Sequence, residues 1–135
     1  MSDINIRGLL ESRLATWAAT QSLQIAFENQ AFTPPNGMYL KAYMLPATTK
    51  VISLKGDLHV WKGLFQVTVV EPQQVGAGST GQIAKALQAL FPVNLVLTDS
   101  VVKVQVMTPL SVLVPVPSAG QYHLPTRFEY RADML

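Results

Sequence analysis

Cysteine is absent from this chain and histidine occurs only twice. Disulfides, thiol nucleophiles and cysteine-ligated metals are therefore excluded, and a metal site would have to be gathered from scattered residues around His59 or His123. Charge is scarce as well. Charged residues make up 13% of the chain, about half of the ~25% usual in soluble domains, and the formal net charge of +2 is too small to argue for nucleic-acid binding. No run of about 18 apolar residues is present, so no membrane span is expected. Met1-Ser2-Asp3-Ile4 lacks the basic start and apolar block of a signal peptide. These absences point to a cytoplasmic product, and 135 residues suit one domain covering 1–135. What is abundant is apolar surface. With 49% hydrophobic residues and little charge to cover the outside, self-association is the natural outlet.

The run Gly76-Ala77-Gly78-Ser79-Thr80-Gly81 spells a dinucleotide fingerprint. That motif needs a strand entering the first glycine directly, a helix N-terminus for the pyrophosphate, and an acidic residue about 20 positions on. Leu64 to Val70 reads as a strand, Gln82 to Phe91 as a helix, and Asp99 falls near the required distance. Glu71-Pro72-Gln73-Gln74-Val75 nevertheless separates strand from glycines, and Pro72 cannot donate to a central ladder. Too little chain follows Phe91 for a doubly wound sheet, so no cofactor is expected. Ser79 and Gln82 read instead as a capping box, with the glycines as a hinge before a capped helix. Ile83, Leu87, Leu90 and Phe91 share its apolar face, and Pro92 ends it.

Ser2 or Asp3 caps a first helix in which Ile6, Leu10, Leu14 and Trp17 keep helical spacing, Arg7 and Glu11 pair at i,i+4, and the end falls near Thr20. Gln24 to Phe27 predicts a short strand, and Pro34-Pro35-Asn36-Gly37 a turn. Tyr39 to Leu45 alternates as a strand that Pro46 stops. Ala47 to Asp57 then predicts a polar connection, longer than a hairpin needs and so a candidate contact segment. Leu58 to Glu71 predicts the longest strand, with Phe65, Val67 and Val69 on one face and Gly63 at a bulge or bend. Val93 to Leu97 and Val101 to Met107 predict further strands. Pro109, Pro115 and Pro117 restrict Leu110 to Val116 to an edge or an extended arm, and Tyr122 to Arg131 closes the sheet. The sum is an α+β fold, a mainly antiparallel mixed sheet with two helices packed on it. Its expected core is Leu40, Phe65, Val67, Val69, Val104 and Phe128, covered by Leu10, Leu14, Ile83 and Leu87.

Residues for chemistry are sparse. Asp57-x-His59 with a serine elsewhere could imitate a triad, yet Ser53, Ser79 and Ser111 lack a nucleophile-elbow context. His59 and His123 read as structural, and an enzyme is not expected. Trp61, Tyr39 and Tyr43 could stack bases, but basic residues do not interleave with them in a sustained pattern, so they read as core or interface.

Several segments together resemble the tail terminators of long non-contractile tails, a family of bacteriophage and prophage minor tail proteins. They are Leu10-Glu11-Ser12-Arg13-Leu14 with Trp17, Ile25-Ala26-Phe27-Glu28-Asn29-Gln30-Ala31-Phe32-Thr33-Pro34, Tyr39-Leu40, Gly63 through Pro72, Gly76, Ile83-Ala84-Lys85-Ala86-Leu87 with Phe91, and Pro125 to Tyr130. The resemblance implies a hexameric ring that caps the tail tube, stops its polymerisation and offers the surface to which the head docks. It implies as partners further copies of the chain, the tail tube protein and a head-tail connector protein, with DNA only in transit through the ring and no membrane. The place implied is the virion tail, assembled in the bacterial host cytoplasm. Lys50, Val51, Ile52, Ser53, Leu54, Lys55 and Asp57, on the long connection, are the expected subunit or tube contacts, with catalytic, cofactor and metal residues none. Another head-to-tail connector is the nearest alternative, and a small enzyme or ligand-binding domain using His59 or His123 a more distant one.

Overall fold

The computed structural model describes residues 2–28, 30–35, 37–51, 59–72, 78–118 and 120–134. Helix α1, Ser2–Thr20, buries Ile6, Leu10, Leu14 and Ala18, one residue per turn, so a single stripe faces the core. Its end is a left-handed cap. Ser22 takes φ 57°, and Leu23 donates its amide back to the Ala18 carbonyl at 3.0 Å, the reach usually given to glycine at this position.

Strand β1, Ile25–Phe27, lies parallel to β2, Tyr39–Val51; β3, His59–Pro72, pairs antiparallel with the other edge of β2, and β8, Gln121–Met134, pairs antiparallel with β3. Helix α2, Gly78–Leu90, follows β3. The strands β4, Val96–Thr98, and β5, Val102–Val106, form a hairpin on the end of β8, and the short strands β6, Ser111–Val112, and β7, Val116–Ser118, pair with the rest of it. The path is β1-β2-β3-β8-β5-β4, a mixed and mostly antiparallel sheet carrying two helices. This is the α+β class expected from the sequence.

Alternation fixes which face is buried. Phe65 stands opposite Met44 on β2 and Phe128 on β8, and its ring meets those of Phe128 and of Phe91, just past α2, at 5.8 and 5.9 Å between centroids. Every residue of the expected core is buried except Ile83, which packs half-exposed against it. Thr126 is also buried in this layer. Its hydroxyl donates to the Val67 carbonyl at 2.7 Å, which satisfies the polar group.

Three local expectations are corrected. Pro46 does not stop β2, which continues through Ala47 to Val51 and pairs with His59 to Trp61. Between Pro46 and Thr49 the register advances by one extra residue on β2, a bulge of the kind that accommodates a strand proline. The irregularity therefore belongs to β2, and Gly63 on β3 is there for close approach. A Cβ at Gly63 would lie 2.7 Å from the Leu45 carbonyl oxygen and 2.6 Å from the Tyr130 hydroxyl.

The third correction concerns the glycine run. Helix α2 begins at Gly78, so Ser79, Thr80 and Gly81 are inside it and Ser79 is not its N-cap; Gly76 lies outside the described residues. Burial of Thr80 beside Ala84 and Leu87 outweighs the weak helix propensity of the glycines. A Cβ on Gly81 would meet no neighbour within 4 Å. Gly81→Ala is thus expected to stabilise the protein by about 0.5 to 1 kcal/mol, seen as a rise in the urea midpoint. A fall would show that the glycine serves a conformation other than the helix.

Candidate assembly surfaces

The expected contact residues divide. Lys50 and Val51 form the end of β2, at register with Val60 and His59, whereas Ile52, Ser53, Leu54, Lys55 and Asp57 lie outside the described residues. The structure does not bring His59 and His123 together: His59 starts β3, while His123 sits on β8 across from Val70 and Val116. Burial lowers the His123 pKa, and the nearby Lys41 lowers it further. Ser111 is exposed on β6. Tyr39 is buried against Phe32, Trp61 packs on the core, and Tyr43 is half-buried. Among the described residues, no three His, Asp or Glu gather at metal-binding distance, and no helix is long and apolar enough to cross a membrane.

Asp99, the acidic residue at fingerprint distance, has a local task. Its Oδ1 accepts the Val101 and Val102 amides at 2.7 and 2.8 Å, and its Oδ2 accepts Asn5 Nδ2 at 3.2 Å, linking the β4–β5 turn to α1. The Val102 and Val101 amides, in that order, hold its carboxyl below the usual carboxylate range. The depressed folded-state pKa makes this stabilisation fully present above the unfolded value, and it is lost as pH falls through the folded one. Asp99→Ala should accordingly flatten the acid limb of stability measured against pH. An unchanged limb would remove Asp99 from the stabilising set.

A second link ties α1 to the opposite end of the sheet. The Arg7 guanidinium donates to Glu11 and Glu28 at 3.3 and 3.1 Å, and Glu28 Oε1 also accepts the Met44 amide at 2.7 Å. Burial acts to lower the Arg7 pKa, but the two carboxylates outweigh it and hold it above its ordinary value. Burial raises Glu11 against the pull of Arg7. The network fixes α1 across the sheet.

What stands out on the surface is apolar. Residues 104–126 contain no Asp, Glu, Lys or Arg, and within them β6 and β7 form an arm along β8 that exposes Val112, Val114 and Val116 by 46, 80 and 52%. An edge strand of this kind ordinarily carries charge. Here Pro115 and Pro117 blunt it instead, because neither has an amide to offer a further strand. On the helical side, an open depression of about 410 Å³ lies between α1 and the end of α2, lined by Ser12, Arg13, Thr16, Trp17, Thr20 and Leu90. Arg13 Nε donates across it to the Leu90 carbonyl at 2.8 Å. Neither surface was among the expected contacts, although the absence of charge over 104–126 is visible in the sequence.

A family model for phage tail terminator proteins matches residues 5–130. The chain belongs to that family. A solved structure at 40% sequence identity has the same fold, with a TM-score of 0.83 over 100% of this chain and 96% of its own. No curated protein matches. Membership of the tail terminator family makes the chain a structural component of a phage tail, which interacts with other tail parts. It also accounts for a surface rich in apolar contact area and poor in reactive groups.

Proposed function

We propose that this protein, acting as one domain over residues 1–135, closes into a ring of six on the end of the tail tube, ends tube growth and presents the surface that the head connector meets. The family match over residues 5–130 carries this reading. The exposed, charge-free arm supports it, since a heterologous contact that closes on itself hides such a surface where an open one would propagate. DNA passes through the ring without being bound by it, and the protein performs no reaction. Assembly takes place in the host cytoplasm before the tail joins the head. Lys50 to Asp57, in the connection between β2 and β3, contacts the tube or a neighbouring subunit.

Light scattering over a wide concentration range, with negative-stain microscopy of tubes mixed with the protein, tests the ring. Capped tubes of uniform length are expected, and tubes that lengthen unchecked would overturn the terminating role. Hydrogen exchange over Lys50 to Gly56 tests that contact. It should slow on assembly, and unchanged exchange in capped tubes would remove those residues from the contact.

A further inference from the structure

The exposed arm and the helical depression lie on opposite sides of α2. Gln88 reaches outward from α2 and donates to the Leu110 carbonyl at 3.1 Å, which anchors the start of the arm. Leu90, about 200° further round the same helix, lines the depression with α1. Helix α2 therefore stands between the two surfaces of one molecule, and Leu110, buried at the root of the arm, holds the arm where it is. The root of the arm is thus tethered on the side of α2 away from its own depression.

Each surface nevertheless suits the other. Val112, Val114 and Val116 form an apolar ridge without charge, and Pro115 and Pro117 stiffen it, so little freedom is left to lose on docking. The depression is open, Trp17 and Leu90 give its lining an apolar part, and Arg13 is its one charged side chain, already engaged. Residues 14–27, which include the wall of the depression on α1, carry no charge either. Buried tryptophan is among the residues that most often anchor interfaces. The missing amides of Pro115 and Pro117 make side-chain insertion, not strand addition, the way this edge is used.

We propose that the valine arm of one copy of this chain inserts into the α1–α2 depression of the next copy, and that this is the repeating contact of the assembly. The proposal rests on the ring reading above and names its interface. The contact is heterologous, since arm meets depression and never arm. A single such contact is small beside the ~1,200 to 2,000 Å² of a stable pairwise interface. Association is consequently weak in dilute solution and strong once the ring closes.

The absence of native cysteine makes the test direct. One preparation carries Thr16→Cys, a second carries Val114→Cys, and both positions are exposed in the free chain. Under mild oxidation on tail tubes, the mixed preparations should form a disulfide-linked dimer that either preparation alone does not. The double variant should give a ladder ending at the ring number. Val114→Asp should weaken ring formation at least about tenfold while leaving the melting temperature unchanged, because the side chain is 80% exposed. Rings that form normally with Val114→Asp, or that show no mixed cross-link, would overturn the arm assignment while the ring reading stands. Cross-linking within each single preparation would show a two-fold contact and also overturn it. If the wild-type chain forms no ring on tubes, the ring reading falls and the interface with it.

Discussion

Gly63→Ala is expected to destabilise the protein by about 3 kcal/mol or more, although it adds one methyl group. The new Cβ would sit 2.7 Å from the Leu45 carbonyl oxygen and 2.6 Å from the Tyr130 hydroxyl. The tyrosine is fully buried and the carbonyl belongs to the backbone of β2, so neither neighbour can yield without moving a strand. Overpacking of a rigid site costs typically about 1 to 3 kcal/mol and occasionally more, and here the shift would fall beside the bulge that sets the β2 register. Urea unfolding of the wild type and variant measures it. A second variant relieves one of the contacts: with Tyr130→Phe added, only part of the loss should return, because the Leu45 carbonyl and the ring Cζ, 2.8 Å from the new Cβ, remain. An unchanged midpoint for Gly63→Ala would show that β2 and β3 can part at this point, and full recovery in the double variant would assign the whole loss to the Tyr130 hydroxyl.

Phe65→Ala should cost about 3 to 5 kcal/mol, the range for truncating a buried phenylalanine. Phe65 is wholly buried at the centre of β3 and meets two other rings, Phe91 and Phe128, which are themselves 5.0 Å apart. Those rings come from separate elements, the end of α2 and the middle of β8. The cavity would thus open where helix and sheet join, and no single segment can collapse to fill it. Against a total stability of about 5 to 15 kcal/mol, such a loss leaves the fold marginal. Phe65→Leu should lose less, since it keeps most of the apolar volume. Equal losses for the two variants would mean that ring contacts, not volume, set the stability of this layer.

The Arg7–Glu11 pair illustrates how far local reasoning reaches. Their i,i+4 spacing predicts the contact, which forms at 3.3 Å. The partner that ties the helix to the sheet, Glu28, lies 21 positions from Arg7, and its second bond to the Met44 amide depends on a parallel pairing of β1 with β2. Nothing in the spacing announces it. Asp99 shows the same division. Its distance from the glycine run suggests a ribose ligand, whereas its bonds to Val101 and Val102 make it the acceptor of a turn that only the β4–β5 hairpin requires.

Periodicity alone determined the two helices, the long strands, the buried faces and the class of the fold, because apolar spacing must match the repeat of whichever element buries it. The residues that carry the family resemblance were likewise legible, since they occupy those same structural positions. Tertiary structure decided the rest. It carried β2 past Pro46, because a bulge can absorb a residue without an amide, and drew Gly78 to Gly81 into α2, because burial of Thr80 outweighs weak propensity. It also decided which apolar residues remain outside. Valines in a sequence are alike until the sheet is assembled, and Val104 became core while Val114 became surface because β5 is covered by α1, whereas the described residues leave Val114, on the arm beyond Leu110, 80% exposed.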